Sequence, residues 1–280
     1  MDVSDETKDQ NKIGSGSFEE LRCLPMEEVR ESIRAGDYAG HTAGIGLGYL
    51  QGNLVILAAD YALDFFRFCQ RNPKPCPLVG VSDTGDPMMG SLGVDIDIRT
   101  DVPMYNIYRH GELVEQTPDI SDFWRNDFVT FVIGCSFTFE MALMAKGIRL
   151  HHVDANKTVS MYRTSLKAGI AGPFDGPIVV SMRPMYPVDA IRASAITSRY
   201  PHAHGEPIHI GDGADIGIKD ISKPDWGDSP VFENGQIPVF WACGVTPQAA
   251  MQSAKLPICI THAPGRMLIT DIPSWATASI

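Results

Sequence analysis

Two stretches of this chain are written on one pattern, and that pattern limits the folds open to it. Phe131-Val132-Ile133-Gly134-Cys135-Ser136-Phe137-Thr138-Phe139-Glu140-Met141-Ala142 is the first. Val239-Phe240-Trp241-Ala242-Cys243-Gly244-Val245-Thr246-Pro247-Gln248-Ala249-Ala250 is the second. Each runs through apolar residues, a small residue and a cysteine to a Thr, then Glu or Gln, then Ala. Each continues with a late lysine (Lys146, Lys255) and a further apolar run from Ile148 or Leu256. Thr246-Pro247 reads as an N-cap followed by the first helical residue, where proline's missing donor costs nothing. By alignment Thr138 caps the other helix, with Glu140 at the positive end of its dipole. The two read as equivalent βαβ-like units. A duplication would produce them, and so would any strand feeding a Thr-capped helix.

Between and around these units the same alternation recurs. Pro25 to Ala35 reads as a helix stopped by Gly36, and Asn53 to Ala58 as a strand covered on both faces. A helix follows in which Tyr61, Phe65 and Phe68 share a face, ended by Asn72-Pro73. Leu78 to Val81 is a second short strand. Gly44, Gly46 and Gly48 precede a strand instead of following one, so they read as a tight turn and not as a nucleotide loop. Strand, helix, strand favours a parallel sheet. The expected fold is therefore α/β, a mainly parallel sheet with helices on both faces, plus a smaller inserted α+β domain. Residues 1–18 read as a mobile polar tail, 19–152 and 210–280 as a discontinuous sheet domain, and 153–209 as the insertion.

Composition narrows the function. At 280 residues the chain can bury a sizeable core. Lys plus Arg number 23 against 34 Asp plus Glu, for a formal charge of −11, which repels a phosphate backbone and argues against a nucleic-acid partner. The longest apolar stretch, Phe128 to Phe139, falls short of the ~20 residues needed to span a membrane. Asp2, Asp5, Glu6 and Asp9 are the reverse of a basic export signal, so a cytoplasmic protein is expected. Cys23, Cys69, Cys76, Cys135, Cys243 and Cys259 form no Cys-x-x-Cys pair, which speaks against a zinc ribbon or a disulfide framework. A homo-oligomer is compatible with all of this.

Polar residues placed directly after apolar runs are where a site would assemble. Cys135 and Cys243, before helix starts, are nucleophile candidates or small packing residues. Glu140 is a general base or a first-turn acid. His202, His204, His209 and Asp212 give His-x-His-x4-His-x2-Asp, a metal set only if the Pro/Gly-rich segment fixes their geometry. His262 leaves a buried strand into a Pro-Gly turn and is the stronger acid–base candidate. His151-His152 reads as an exposed strand edge. Arg163 and Arg183 lie beside strands and can clamp carboxylates. No Gly-x-Ser-x-Gly elbow is present.

Five of these segments in register carry a resemblance. Gly134 to Glu140, Ser181-Met182-Arg183-Pro184, His209-Ile210-Gly211-Asp212, Cys243 to Gln248 and His262-Ala263-Pro264-Gly265 resemble the D-glutamate cyclase family, whose bacterial members are described as hydro-lyases. The resemblance runs from Glu27 to Ile272. Gly213 stands where a proline commonly follows Gly-Asp, and Arg266 where a histidine commonly follows His-Ala-Pro-Gly. The resemblance implies loss of water from a carbon–oxygen bond: the amine of D-glutamate attacks its γ-carboxyl and gives 5-oxo-D-proline.

That chemistry asks for a base, an acid, oxyanion donors and a cation. By position, Glu140 or Asp212 is the expected base and His209 or His262 the acid. Backbone N–H groups at the Thr138 and Thr246 helix starts are the oxyanion donors. Arg163 and Arg183, with Gln248, are the substrate contacts. A small carboxylate or amino acid is the expected partner, and no cofactor is expected. The alternatives are a non-catalytic binder of an acidic metabolite and a lyase using a divalent metal at the histidine set.

Overall fold

The computed structural model describes residues 18–278. The expected tail therefore lies outside the described residues, except for Phe18, which opens α1 (Phe18–Leu21). Then come α2 (Met26–Arg34), β1 (Tyr49–Ala58), α3 (Ala59–Arg71), β2 (Leu78–Val81), β3 (Tyr105–Arg109), β4 (Glu112–Thr117) and β5 (Phe128–Gly134). The chain goes on through α4 (Phe137–Met144), α5 (His151–Asp154), β6 (Ser160–Lys167), β7 (Pro177–Met185), α6 (Pro187–Thr197) and β8 (His209–Ile210). It ends with β9 (Ile237–Ala242), α7 (Thr246–Ala254), β10 (Cys259–His262) and β11 (Leu268–Pro273).

The expectation of a mainly parallel sheet is overturned. One sheet has the order β2-β5-β1-β10-β3-β4 with β11 also on β1, the other the order β6-β7-β9-β8, and every pairing in both is antiparallel. The reason lies in where the helices deliver the chain. β1 and β2, joined by α3, do run the same way, but β5 lies between them and runs against both. The helices α4 and α7 do not return the chain to the sheet it left. The first carries it from β5 in the larger sheet to β6 in the smaller, and the second from β9 in the smaller to β10 in the larger.

The equivalence of the two units is visible in their geometry. Gly52 faces Gly134 across β1 and β5 as Val180 faces Ala242 across β7 and β9. Thr138 and Thr246 are not caps: no side-chain cap bond is made at either helix start. Each hydroxyl instead accepts a backbone N–H from the neighbouring strand, Gln51 at 3.1 Å for Thr138 and Val179 at 2.9 Å for Thr246. Tying a buried strand N–H that the ladder leaves unpaired is worth more there than an exposed cap.

β1 explains the larger core. Val55 and Leu57 pack with Phe65, Phe68, Phe131 and Phe174 on one face, and Leu54 and Ile56 with Val132, Tyr105 and Ile260 on the other. Alternate residues thus feed two clusters, which is why the run is apolar throughout. A third cluster sets Trp241 and Phe139 against Ala190 and Ala193 of α6.

Arg30 of α2 fastens the chain's two ends. Its fully buried guanidinium pairs with Asp95 at 2.5 Å and Asp271 at 2.7 Å and donates to the Ile269 carbonyl. Burial opposes ionisation of Asp95, yet bonds from Arg30 and Arg34 hold its carboxyl below its ordinary value of 3.8. This contribution to stability is present above that value and is lost as pH falls below it. Arg30→Met should destabilise by about 2–3 kcal/mol in urea unfolding, less than a fully buried pair because both carboxylates keep some solvent. An unchanged midpoint would refute this.

Candidate active site

The β5–α4 turn places Glu140 on the first turn of a helix that is buried on most of its surface, so its carboxylate has no route to water. Three donors converge on one of its oxygens. Arg183 of β7 gives Nη2 at 2.5 Å and Nε at 3.2 Å to Oε1, and His152 of α5 gives Nε2 at 2.9 Å to the same atom. Oε2 is buried with no hydrogen-bond partner. Burial pushes the Glu140 carboxyl up, but the His152 and Arg183 charges and their bonds outweigh it and bring it down to about 2. Glu140 is therefore a carboxylate at neutral pH, and it fixes the proton of His152 on Nε2. That leaves Nδ1 as the basic nitrogen.

Arg183 is spent inside the protein. Besides Glu140 it donates to Ser136 Oγ at 3.0 Å and Ser181 Oγ at 3.2 Å. Its guanidinium lies 5.4 Å from the Phe139 ring and 5.3 Å from the Trp241 ring. With 1% exposure it is placed to hold Glu140.

His152 lines a cavity of about 50 Å³ whose wall also holds Lys157, Thr158, Ser160, Asp228 and Pro230. The histidine thus stands between the buried carboxylate and open space, in the arrangement by which a carboxylate orients an acid–base imidazole. The reading of His151-His152 as an exposed edge is corrected. The two open a short helix, and His152 is turned inward by Glu140 twelve residues earlier.

The second turn builds a separate, uncharged cluster. Gln248, at the position matching Glu140, donates from Nε2 to the His262 carbonyl at 2.8 Å. His262 is fully buried, its Nδ1 accepts the Leu54 N–H at 3.0 Å, and burial brings its pKa down to about 4. It is a neutral ring tied to β1. Gly244 has to be glycine, because a Cβ there would overlap the Asn53 amide.

Cys135 and Cys243 are both buried near Arg183. Burial pushes the Cys135 thiol well up and the Cys243 thiol to about 11, against the helix-start effect that would favour thiolates. Iodoacetamide on the native protein should modify exposed Cys23 and leave Cys135 and Cys243 unlabelled by peptide mass spectrometry. Rapid labelling of either would show a reactive thiolate.

The remaining candidates are dispersed. His209 sits on the edge strand β8 with Nε2 2.8 Å from the Asp212 carbonyl, while Asp212 accepts the Ala214 N–H. Arg163 is half-exposed on β6, over Trp226 at 4.9 Å and near Asp225. His204 is buried on the Lys74 carbonyl at 2.7 Å, with burial bringing its pKa to about 4. His202 contributes its carbonyl, on which Gly134 is packed so tightly that a Cβ would overlap it. Among the described residues no group of three or more His, Cys, Asp or Glu side chains is placed to hold a metal. Among the same residues no helix is long and apolar enough to cross a membrane.

Sequence reasoning singled out Glu140 and Arg183 but not Lys157 or Asp228, which line the cavity beside His152, and it did not place His152 there. The detectable signal was a histidine pair directly after the Ile148 to Leu150 run, close in sequence to Glu140.

Comparison with known proteins agrees with the motif reading. A protein from Verminephrobacter eiseniae is 59% identical over 245 residues, 88% of this chain and 89% of that relative. One from Dinoroseobacter shibae is 57% identical over 95% of this chain and 88% of its own length, and one from Ruegeria pomeroyi is 57% identical over 95% and 97%. Each carries the name "Putative hydro-lyase". Among solved structures, a nitrogen repressor-like protein from Methanococcus jannaschii covers 84% of this chain and 91% of its own at 11% identity and a TM-score of 0.37, too low to carry an argument. The family model described as D-glutamate cyclase matches residues 129–271, which span β5, both strand-to-helix turns and the whole Glu140–Arg183–His152 cluster; with relatives this similar over nearly its full length, the chain belongs to the D-glutamate cyclase family.

Proposed function

We propose that the chain is a lyase that removes water from D-glutamate, closing it to 5-oxo-D-proline. The observation that carries this reading is the ionised, buried Glu140 holding His152 at the wall of a cavity. In the reaction the α-nitrogen forms a bond to the γ-carboxyl carbon and one γ-oxygen leaves as water. The substrate's nitrogen enters as an ammonium and its γ-carboxyl as a carboxylate, so two protons pass from nitrogen to the departing oxygen: one freed before attack and one released after it. His152 Nδ1 takes each in turn, with the imidazolium stabilised by Glu140, and gives it to that oxygen, which leaves as water. Arg183 keeps Glu140 charged and in place. His209, His262, Asp212 and Arg163 stand outside this scheme, and Cys135, Cys243, Thr138, Thr246 and Gln248 support the backbone around it.

Proton NMR of the protein with D-glutamate, L-glutamate and 5-oxoproline, each with and without chelator, tests the proposal. D-specific appearance of 5-oxoproline is expected. Every proton transfer above uses a protein group, so chelator should leave the rate unchanged. No product from D-glutamate would overturn the reading and leave a hydro-lyase with another substrate or a non-catalytic binder. A chelator-sensitive rate would overturn the metal-free scheme.

A further inference from the structure

We infer that Asp228 and Lys157 are the specificity-determining residues of the His152 cavity, the first receiving the amine of the ligand and the second its carboxylate. The inference deepens the reading above and rests on that same cavity. Its wall holds one cationic side chain, Lys157, and one carboxylate, Asp228, beside His152. The two demand opposite charges of whatever enters, and a small molecule bearing both an ammonium and a carboxylate meets that demand.

The wall is fixed in place by its own bonds. Asp228 accepts the Thr158 N–H on Oδ2 at 2.9 Å, and its carbonyl accepts the Ser160 hydroxyl at 2.6 Å. That leaves Oδ1 to receive a ligand donor. The Lys157 backbone N–H donates to the His152 carbonyl at 2.8 Å, which sets the lysine next to the proposed acid–base group. Its ammonium forms no ion pair among the described residues, unlike Lys74 and Lys223. Thr158 Oγ1 is buried and has no partner, so a polar atom is already out of water and in need of one. A chain of net charge −11 repels a dicarboxylate at long range, and a local lysine offsets that at the site.

Saturation-transfer NMR titrations with D-glutamate and D-2-hydroxyglutarate test this, because the pair differ only in amine against hydroxyl. Turnover shows in the same spectra as 5-oxoproline resonances. Wild type should bind D-glutamate at least about tenfold more tightly, the size of one charge-assisted hydrogen bond. Asp228→Asn keeps an acceptor for Thr158 and should bring the two ligands within about twofold of each other. Lys157→Met should weaken both by about the same tenfold factor. Equal binding of the two by wild type, binding of neither, or an unchanged ratio in Asp228→Asn would overturn the inference. Lost discrimination without 5-oxoproline in any tube would uphold it and sink the cyclase reading. Turnover with unchanged discrimination in Asp228→Asn would do the reverse.

Discussion

His152→Gln should lower kcat for 5-oxoproline formation by about 10²–10⁴-fold, the usual contribution of a positioned acid–base group. Glutamine places an N–H where His152 Nε2 meets Glu140 but carries no basic nitrogen, so the buried carboxylate keeps a partner and the fold is retained. KM should change little, because the lost interaction belongs to proton transfer. The variant separates a catalytic role from a structural one. If His152 only donates a hydrogen bond to Glu140, the conservative replacement keeps the rate. A kcat within threefold of wild type would remove His152 from the mechanism.

Arg183→Met should be the most destabilising substitution in the site. It strands the Glu140 carboxylate, which is fully buried and among the described residues has no partner on Oε2, leaving His152 as the one remaining donor among them. Breaking a buried pair from one side costs about 3–5 kcal/mol, mostly the penalty of the charge left behind. Glu140→Gln combined with Arg183→Met removes both charges and should recover much of the loss. Non-recovery would mean that the arginine's packing on Phe139 and Trp241 is the larger contribution. The same pair predicts a pH dependence. The carboxyl is depressed to about 2 from an ordinary 4.5, so its contribution is complete above about pH 4.5 and fades as pH falls toward 2. In the doubly substituted protein, unfolding free energy should fall less steeply over that window than in wild type.

The elements themselves were legible in the chain. α3, β2, β7, β9 and α7 lie where apolar runs, helical periodicity and prolines put them, because those signals are local, while β1 begins at Tyr49, four residues before its apolar run. Sheet direction was not legible. Whether α3 returns the chain beside β1, or one place further with β5 between, depends on contacts about 75 residues apart in sequence. Periodicity does not encode that distance. The repeated turn reads as two βαβ-like units, but each helix crosses between sheets, so neither flanking strand pair shares a sheet. Within the site, Glu140 was visible because it follows a strand end, and Arg183 because it follows an apolar run. His152 was hidden because its neighbours look like a strand edge, and only the fold turns the ring inward. His202, His204 and His209 show the opposite failure, with ligand spacing on a segment whose turns point them apart.

The most direct test is the long-range proton–nitrogen spectrum of protein labelled with 15N-histidine, with the His152 signals assigned by their absence in His152→Gln. At neutral pH Nε2 should carry a proton held on Glu140, and the Nδ1 resonance should shift when D-glutamate is added. An Nε2 without a proton, or an Nδ1 resonance indifferent to D-glutamate, would contradict it.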